Sequence, residues 1–246
     1  MLRPLLAVVS STLISVAPLT ASAAAVSLGA FTGTWINATP AAVASNAGAS
    51  LNWGLPADGS TQSGYDFLAA AGVNNFEIPP SPDPFLIGNF VHRNIAVFGE
   101  SLSSAQLQLT TSIYVDGVSI GERSFLFGFS HLESLNVNGT CADGGQSGAG
   151  VNANGCADNV QISSLNASDT FVIDGDEWTL DLLGFSRNGG ADIDLSYWTM
   201  ENQSNTAGLY ATVSRSGPVR QVPAPDGLSL LGISLLGMTL IHKRRR

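Results

Sequence analysis

Two alternating segments, each closed by Asp-Gly, restrict this chain more than any other feature. Over residues 106–115 the side chains of Leu107, Leu109, Thr111, Ile113 and Val115 share one face, a period of two that only an extended strand provides. Asp116-Gly117 follows, a two-residue turn whose left-handed backbone matches the twist of a hairpin. Val118 and Ile120 are then expected opposite Val115 and Ile113. Carried further, this register would turn Glu122, Ser124 and Leu126 inward, whereas the bulky residues are Phe125, Phe127 and Phe129. A β-bulge at Gly121 restores the phase. The second segment needs no such correction: Phe171 and Ile173 lead into Asp174-Gly175, and Trp178, Leu180 and Leu182 return on the same face.

Shorter strands are expected at 86–98, interrupted by Gly88, at 209–213, and at 33–36 as an opening strand. Residues 38–49 read as one or two helical turns or as coil. Outside the terminal segments there is no long 3.6-residue stripe, and turn residues recur about every ten positions. The expected fold is therefore all-β, an antiparallel β-sandwich or jelly roll, over residues 24–221. A parallel α/β sheet is disfavoured.

Charge narrows the partners. Residues 24–221 hold five arginines, Arg93, Arg123, Arg187, Arg215 and Arg220, no lysine, and all but one of the 19 acidic residues. Nucleic-acid binding needs clustered cations to release counterions, so that class of partner is excluded. The other basic residues are Arg3, Lys243, Arg244, Arg245 and Arg246, at the two ends.

Those ends read as addresses. Residues 1–23 combine Arg3, an apolar run and Ala21-Ser22-Ala23, the pattern of a secretory signal peptide handled by the export machinery and signal peptidase. At the far end Val222-Pro223-Ala224-Pro225-Asp226 precedes the uncharged stretch 227–241 and the basic tail 242–246. As a helix that stretch is about 22 Å long, short of a ~30 Å hydrocarbon core unless the bilayer thins or Lys243 snorkels. The positive-inside rule keeps the basic tail cytoplasmic and the β domain outside. A single-pass anchor is one reading. This three-part end also resembles the PEP-CTERM sorting signal of Gram-negative bacteria, with Ala224 in place of the glutamate of Val-Pro-Glu-Pro. The resemblance implies a membrane-embedded exosortase that cuts near Pro223 and Pro225 and passes the protein to the cell envelope and its exopolysaccharide.

Cys141 and Cys156 bound a loop rich in Gly, Asn, Ala and Ser that has little apolar surface with which to order itself. In an exported chain a disulfide between them is expected. A metal centre with His131, Asp143 and Asp158 is the alternative, but two thiols without a second ligand pair fall short of a zinc pattern. The acidic residues Asp174, Asp176, Glu177, Asp181, Asp192 and Asp194 lack the spacing of a calcium loop. They read as a turn residue and a solvated face, with calcium or a glycosidase pair as the other options.

A family resemblance covers most of the exported part. Asn52-Trp53-Gly54-Leu55-Pro56, Gln62-Ser63-Gly64-Tyr65, the run from Phe85 through His92-Arg93-Asn94, Cys156-Ala157-Asp158 and the stretch from Thr199 to Asn205 together resemble the THxN family of PEP-CTERM proteins. That family is named for Thr-His-x-Asn. Val91 stands where its threonine is expected, so only His92 and Asn94 carry over. On a strand they share a face, with Arg93 on the other. Both fit either backbone groups at a sheet corner or a shared ligand. Neither a Gly-x-Ser-x-Gly elbow nor a His-Glu-x-x-His helix is present, and no cofactor is implied. The expectation is a non-catalytic surface or matrix protein associated with exopolysaccharide. The alternatives are a carbohydrate-binding module using Trp35, Trp53, Tyr65, Tyr197 or Trp198, and a polysaccharide-cleaving enzyme with paired carboxylates.

Overall fold

The computed structural model describes residues 24–57, 59, 61–78, 83–164 and 169–218, which form strands joined by turns, irregular loops and two single 3-10 turns. The expected signal peptide (1–23) and sorting segment (222–246) lie outside the described residues. In chain order the strands are β1 (Ala24–Leu28), β2 (Thr32–Thr39), β3 (Val43–Ser45), β4 (Ser50–Trp53), β5 (Leu55–Pro56), β6 (Ser63–Ala69), β7 (Val73–Ile78) and β8 (Phe85–Asn94). There follow β9 (Val97–Phe98), β10 (Ser104–Val115), β11 (Val118–Leu132), β12 (Asp158–Ser164), β13 (Phe171–Ile173), β14 (Asp176–Ser186), β15 (Ser196–Thr199) and β16 (Gln203–Pro218). The chain is all-β and its pairings are antiparallel.

One sheet runs β15-β12-β11-β10-β1-β7, with β2 sharing the free side of β10 beyond β1. The other runs β13-β14-β16-β8-β6-β4-β3. Their inner faces contribute to one cluster of buried residues, from Trp35, Leu107, Phe125, Phe127 and Phe129 of the first sheet to Phe90, Phe171, Trp178 and Leu209 of the second.

Both hairpins form as the alternation requires. Asp116 and Gly117 have φ of 49° and 77°, Asp174 and Gly175 of 52° and 82°, which is the primed turn that carries a right-handed twist into the flanking strands. The phase flip in β11 is real: Val115 pairs with Val118, but Ile113 pairs with Gly121, so Ile120 is the inserted residue and not the partner of Ile113. Gly121 takes φ of +104°, a conformation strained for any side chain. The three phenylalanines beyond it are then fully buried. Phe171 and Trp178 face each other in the second hairpin without a register shift.

Two readings change. Gly88 does not interrupt its strand: β8 continues through it and breaks only at Ile95-Ala96. The glycine serves packing, since a Cβ at Gly88, or at Gly33 on the opposite sheet, would run into the ring of Phe67. Residues 38–49 form neither α-helical turns nor coil alone, but the end of β2, the short strand β3 and a 3-10 turn at Asn46–Gly48.

Candidate functional site

The core changes character along β8. Phe90, His92 and Asn94 all point inward at 0% exposure, while Arg93 points outward to ion-pair with Asp66 at 2.8 Å and to donate to Asn52 Oδ1 and the Gln62 carbonyl. Strand periodicity thus places His92 and Asn94 together, as the sequence implied. What they meet comes from the other sheet: His131 near the end of β11, Asp158 opening β12 and Thr199 closing β15. Asp158 and Thr199 are cross-strand partners, so the two ends arrive as a unit.

Three hydrogen bonds stitch the sheets at this end. Asn94 Nδ2 donates to the Thr199 carbonyl at 3.2 Å. His92 Nδ1 lies 2.9 Å from Thr199 Oγ1, and that hydroxyl donates its one proton to the Asp158 carbonyl at 3.1 Å. It therefore meets His92 as an acceptor, which assigns hydrogen to Nδ1 and the lone pair to Nε2. Burial, with lesser contributions from His131 and Arg93, holds the His92 pKa well below its usual range, so the imidazole is neutral. The third bond joins Tyr65 Oη to His131 Nδ1 at 2.6 Å. Burial first, then Asp158 and Glu133, raises the Tyr65 pKa well above the usual phenol value. The phenol keeps its proton and donates it, leaving His131 Nε2 to face Glu133 Oε2 at 3.4 Å. Trp53 stacks on the His92 ring at 5.7 Å between centroids.

Carboxylates crowd the same end. Oxygens of Glu133, Asp158 and Glu201 lie within 4.8 Å of one another, and an imidazole nitrogen each of His92 and His131 lies within the same distance of Asp158. Asp158 accepts the Ser134 N–H at 2.7 Å on Oδ1. Burial, then the charge of Glu133, still drives its pKa up to about 8. Burial likewise raises Glu201. Four buried atoms, His92 Nε2, Asn94 Oδ1, Asp158 Oδ2 and Glu201 Oε2, find no hydrogen-bond partner among the described residues. A buried polar atom is rarely left so.

The disulfide loop forms the wall of this cluster. Cys141 and Cys156 are bonded, with Cα atoms 5.3 Å apart. Asn136 donates to Glu201 Oε1 at 3.0 Å and accepts the Cys156 N–H at 2.6 Å. Asn152 accepts the Ala157 N–H at 2.8 Å. The turn carrying Glu201 is held by Asn205, which accepts from Met200 N and donates to Met200 O, both at 2.8 Å.

Of the three residues weighed with the cysteines as a metal set, His131 and Asp158 converge here. Asp143 does not: it binds Asn152 and the Gly145 N–H inside the loop, and these bonds hold its pKa below the usual value. The cysteines are spent on each other. Trp35, Trp53, Tyr65 and Tyr197 are buried and so form no exposed aromatic row; Trp198 is half-buried. Asp176 pairs with Arg215 at 2.6 Å, and Asp181 accepts from Ser214. Asp192 and Asp194 border a separate cleft of about 620 Å³ with Arg187, Asn188 and Trp198. Sequence reasoning missed the roles of Tyr65 as a phenol donor, Thr199, Glu133, Glu201 and Asn205: Tyr65 enters it as a family mark and a sugar-stacking aromatic, the Thr199–Asn205 run as a family mark, and Glu133 not at all. No family model and no curated protein matches this chain.

Proposed function

We propose that this chain is an exported, non-catalytic protein of the cell surface or its matrix, a β-sandwich of jelly-roll kind. In this reading residues 1–23 direct export and residues 222–246 deliver it to an exosortase, after which it associates with exopolysaccharide. The observation that carries the non-catalytic part is exposure at the carboxylate cluster. Asp158 and Glu201 are at 0%, and only the Glu133 side chain reaches solvent, at 24%. A glycosidase must set two carboxylates against a sugar ring, one on each side of the scissile bond, and a cluster that meets solvent only at the Glu133 edge does not admit a sugar ring between its carboxylates.

The test is to delete residues 222–246 in an exosortase-bearing host and fractionate the cells. The full chain should lose its tail and reach the envelope or matrix, and the truncated chain should be released without processing. Equal distribution of both chains would defeat the sorting reading, and cleavage of host polysaccharide by the purified chain would defeat the non-catalytic one.

The Arg187–Trp198 cleft favours a carbohydrate-binding reading as second choice. It joins a half-buried indole to Asn188, Asp192 and Ser196, with Arg187 over the Tyr197 ring at 5.6 Å, the mixture of flat apolar and polar groups that small-molecule clefts use. Trp198→Ala should then abolish polysaccharide retention without unfolding the protein.

A further inference from the structure

We propose that the buried cluster is a calcium site, with Glu133, Asp158 and Glu201 as carboxylate ligands. Three observations converge. First, three carboxylates stand together with no lysine or arginine ion-paired to any of them among the described residues. Arg93, between His92 and Asn94 in sequence, is turned to the outer face. Buried charges persist when paired or when they coordinate metals.

Second, atoms that belong to no acid are also left without partners. Asn94 Oδ1 and His92 Nε2 are buried and unpartnered, Asn94 has its amide beside the Asp158 carboxylate, and one His92 nitrogen is within 4.8 Å of that carboxylate. With Asp158 Oδ2 and Glu201 Oε2, they leave acceptor lone pairs gathered at one end of the core. A calcium ion satisfies oxygens among them; another acceptor would satisfy none.

Third, the donor set suits calcium. Calcium is a hard cation that takes oxygen ligands and tolerates irregular geometry, and one oxygen from each of Glu133, Asp158 and Glu201 lies close enough to the others to share an ion. Magnesium demands near-ideal octahedral geometry and keeps several waters, which a cluster closed in on most sides does not supply. The alternative grouping of His92, His131 and Asp158 would suit a softer metal. His131, however, has Nδ1 engaged by Tyr65 and Nε2 turned to Glu133, so both its nitrogens are in use. Glu133 also lines a surface cleft of about 360 Å³ with Glu201, Ser134 and Asn136, which gives the ion a way in. Asn136 and Asn205 are positioning residues: the first fixes the Glu201 carboxylate, the second the turn that bears it.

The test uses the full chain stripped with chelator and titrated with calcium, magnesium, zinc and terbium. Calcium should bind once per chain and raise the melting temperature more than magnesium does, and terbium should luminesce on excitation of Trp53, which packs against His92. Asp158→Asn and Glu201→Gln should abolish the calcium response. Asp158→Asn keeps the size of the side chain and an oxygen to accept the Ser134 N–H, so in chelator it should melt close to the parent, which separates lost binding from lost fold. Glu133→Gln, at the accessible edge, provides a second variant in which folding is not at stake. Asn136→Ala should weaken calcium by about tenfold. No calcium uptake by the stripped chain, or uptake that survives all three carboxylate changes, would overturn the site. Zinc uptake without calcium, lost on His131→Gln, would overturn the oxygen-ligand assignment.

Discussion

Phe90 and His92 are two residues apart on one strand, equally buried, and face the same opposing sheet, yet they belong to different kinds of core. Around Phe90 the neighbours are rings: Phe129 at 6.0 Å, Phe185 at 5.2 Å and Trp35 at 6.1 Å. Around His92 the rings of Trp53 and Tyr65 are joined by the Thr199 hydroxyl, a second imidazole and the Asp158 carboxylate. Dispersion and the hydrophobic effect have no direction, so the aromatic half tolerates any arrangement that fills space. The polar half demands particular atoms at particular distances, and it leaves four of them without partners. In the aromatic half the unpartnered atoms are the indole N–H groups of Trp35 and Trp178, whereas at the polar end acceptor atoms of four side chains stand without partners, which points to a ligand at that end.

The sharpest contrast comes from truncation in the aromatic half. Phe129→Ala, at a 1% exposed site touching Trp35, Phe90 and Phe185, should cost about 3–5 kcal/mol in chemical denaturation and leave calcium affinity unchanged in whatever remains folded. A large loss of calcium affinity would mean that the two halves are not independent.

Next comes the disulfide. Cys141→Ser with Cys156→Ser should cost about 3 kcal/mol for a loop of this size. Hydrogen exchange should accelerate in the loop and around Ser134, Asn136 and Glu201, because the loop walls the polar end, while β10 and β11 stay protected. Uniform acceleration across the aromatic strands would erase the proposed boundary.

Tyr65→Phe keeps the ring in its packing and removes only the hydroxyl, so it isolates one polar contact. Leaving the buried His131 Nδ1 without its donor should cost about 1–3 kcal/mol. A neutral result would indicate that the tyrosine matters for its ring alone, as an aromatic-half residue would.

The smallest effect is expected outside both halves. Asp192 is exposed and accepts from Asn188 at 2.6 Å, so Asp192→Asn should move stability by less than about 0.5 kcal/mol. Reduced retention on host polysaccharide in this variant, measured by co-sedimentation, would assign recognition to the cleft and confine the interior to folding and cation binding.

Much of the frame is written locally. Strand alternation and Asp-Gly turns placed both hairpins, and the mismatch between Ile113 and Phe125 demanded the bulge beside Gly121, because side-chain phase and turn chirality are properties of neighbouring residues. The pairing of the two cysteines and the shared face of His92 and Asn94 follow from equally short-range facts. Local rules misread Gly88, since its reason lies in Phe67 on another strand, and they gave residues 38–49 no strand because β3 depends on its neighbour β4. The cluster as a whole was beyond them, although its His92 and Asn94 pair was not. Its members at 65, 92, 94, 131, 133, 158, 199 and 201 lie on strands and turns of both sheets, and only the pairs 92/94, 131/133 and 199/201 are near each other in sequence. Only the closing of one sheet over the other brings their atoms to hydrogen-bond distance, and only the loss of water on that closure decides which lone pairs are left without a partner.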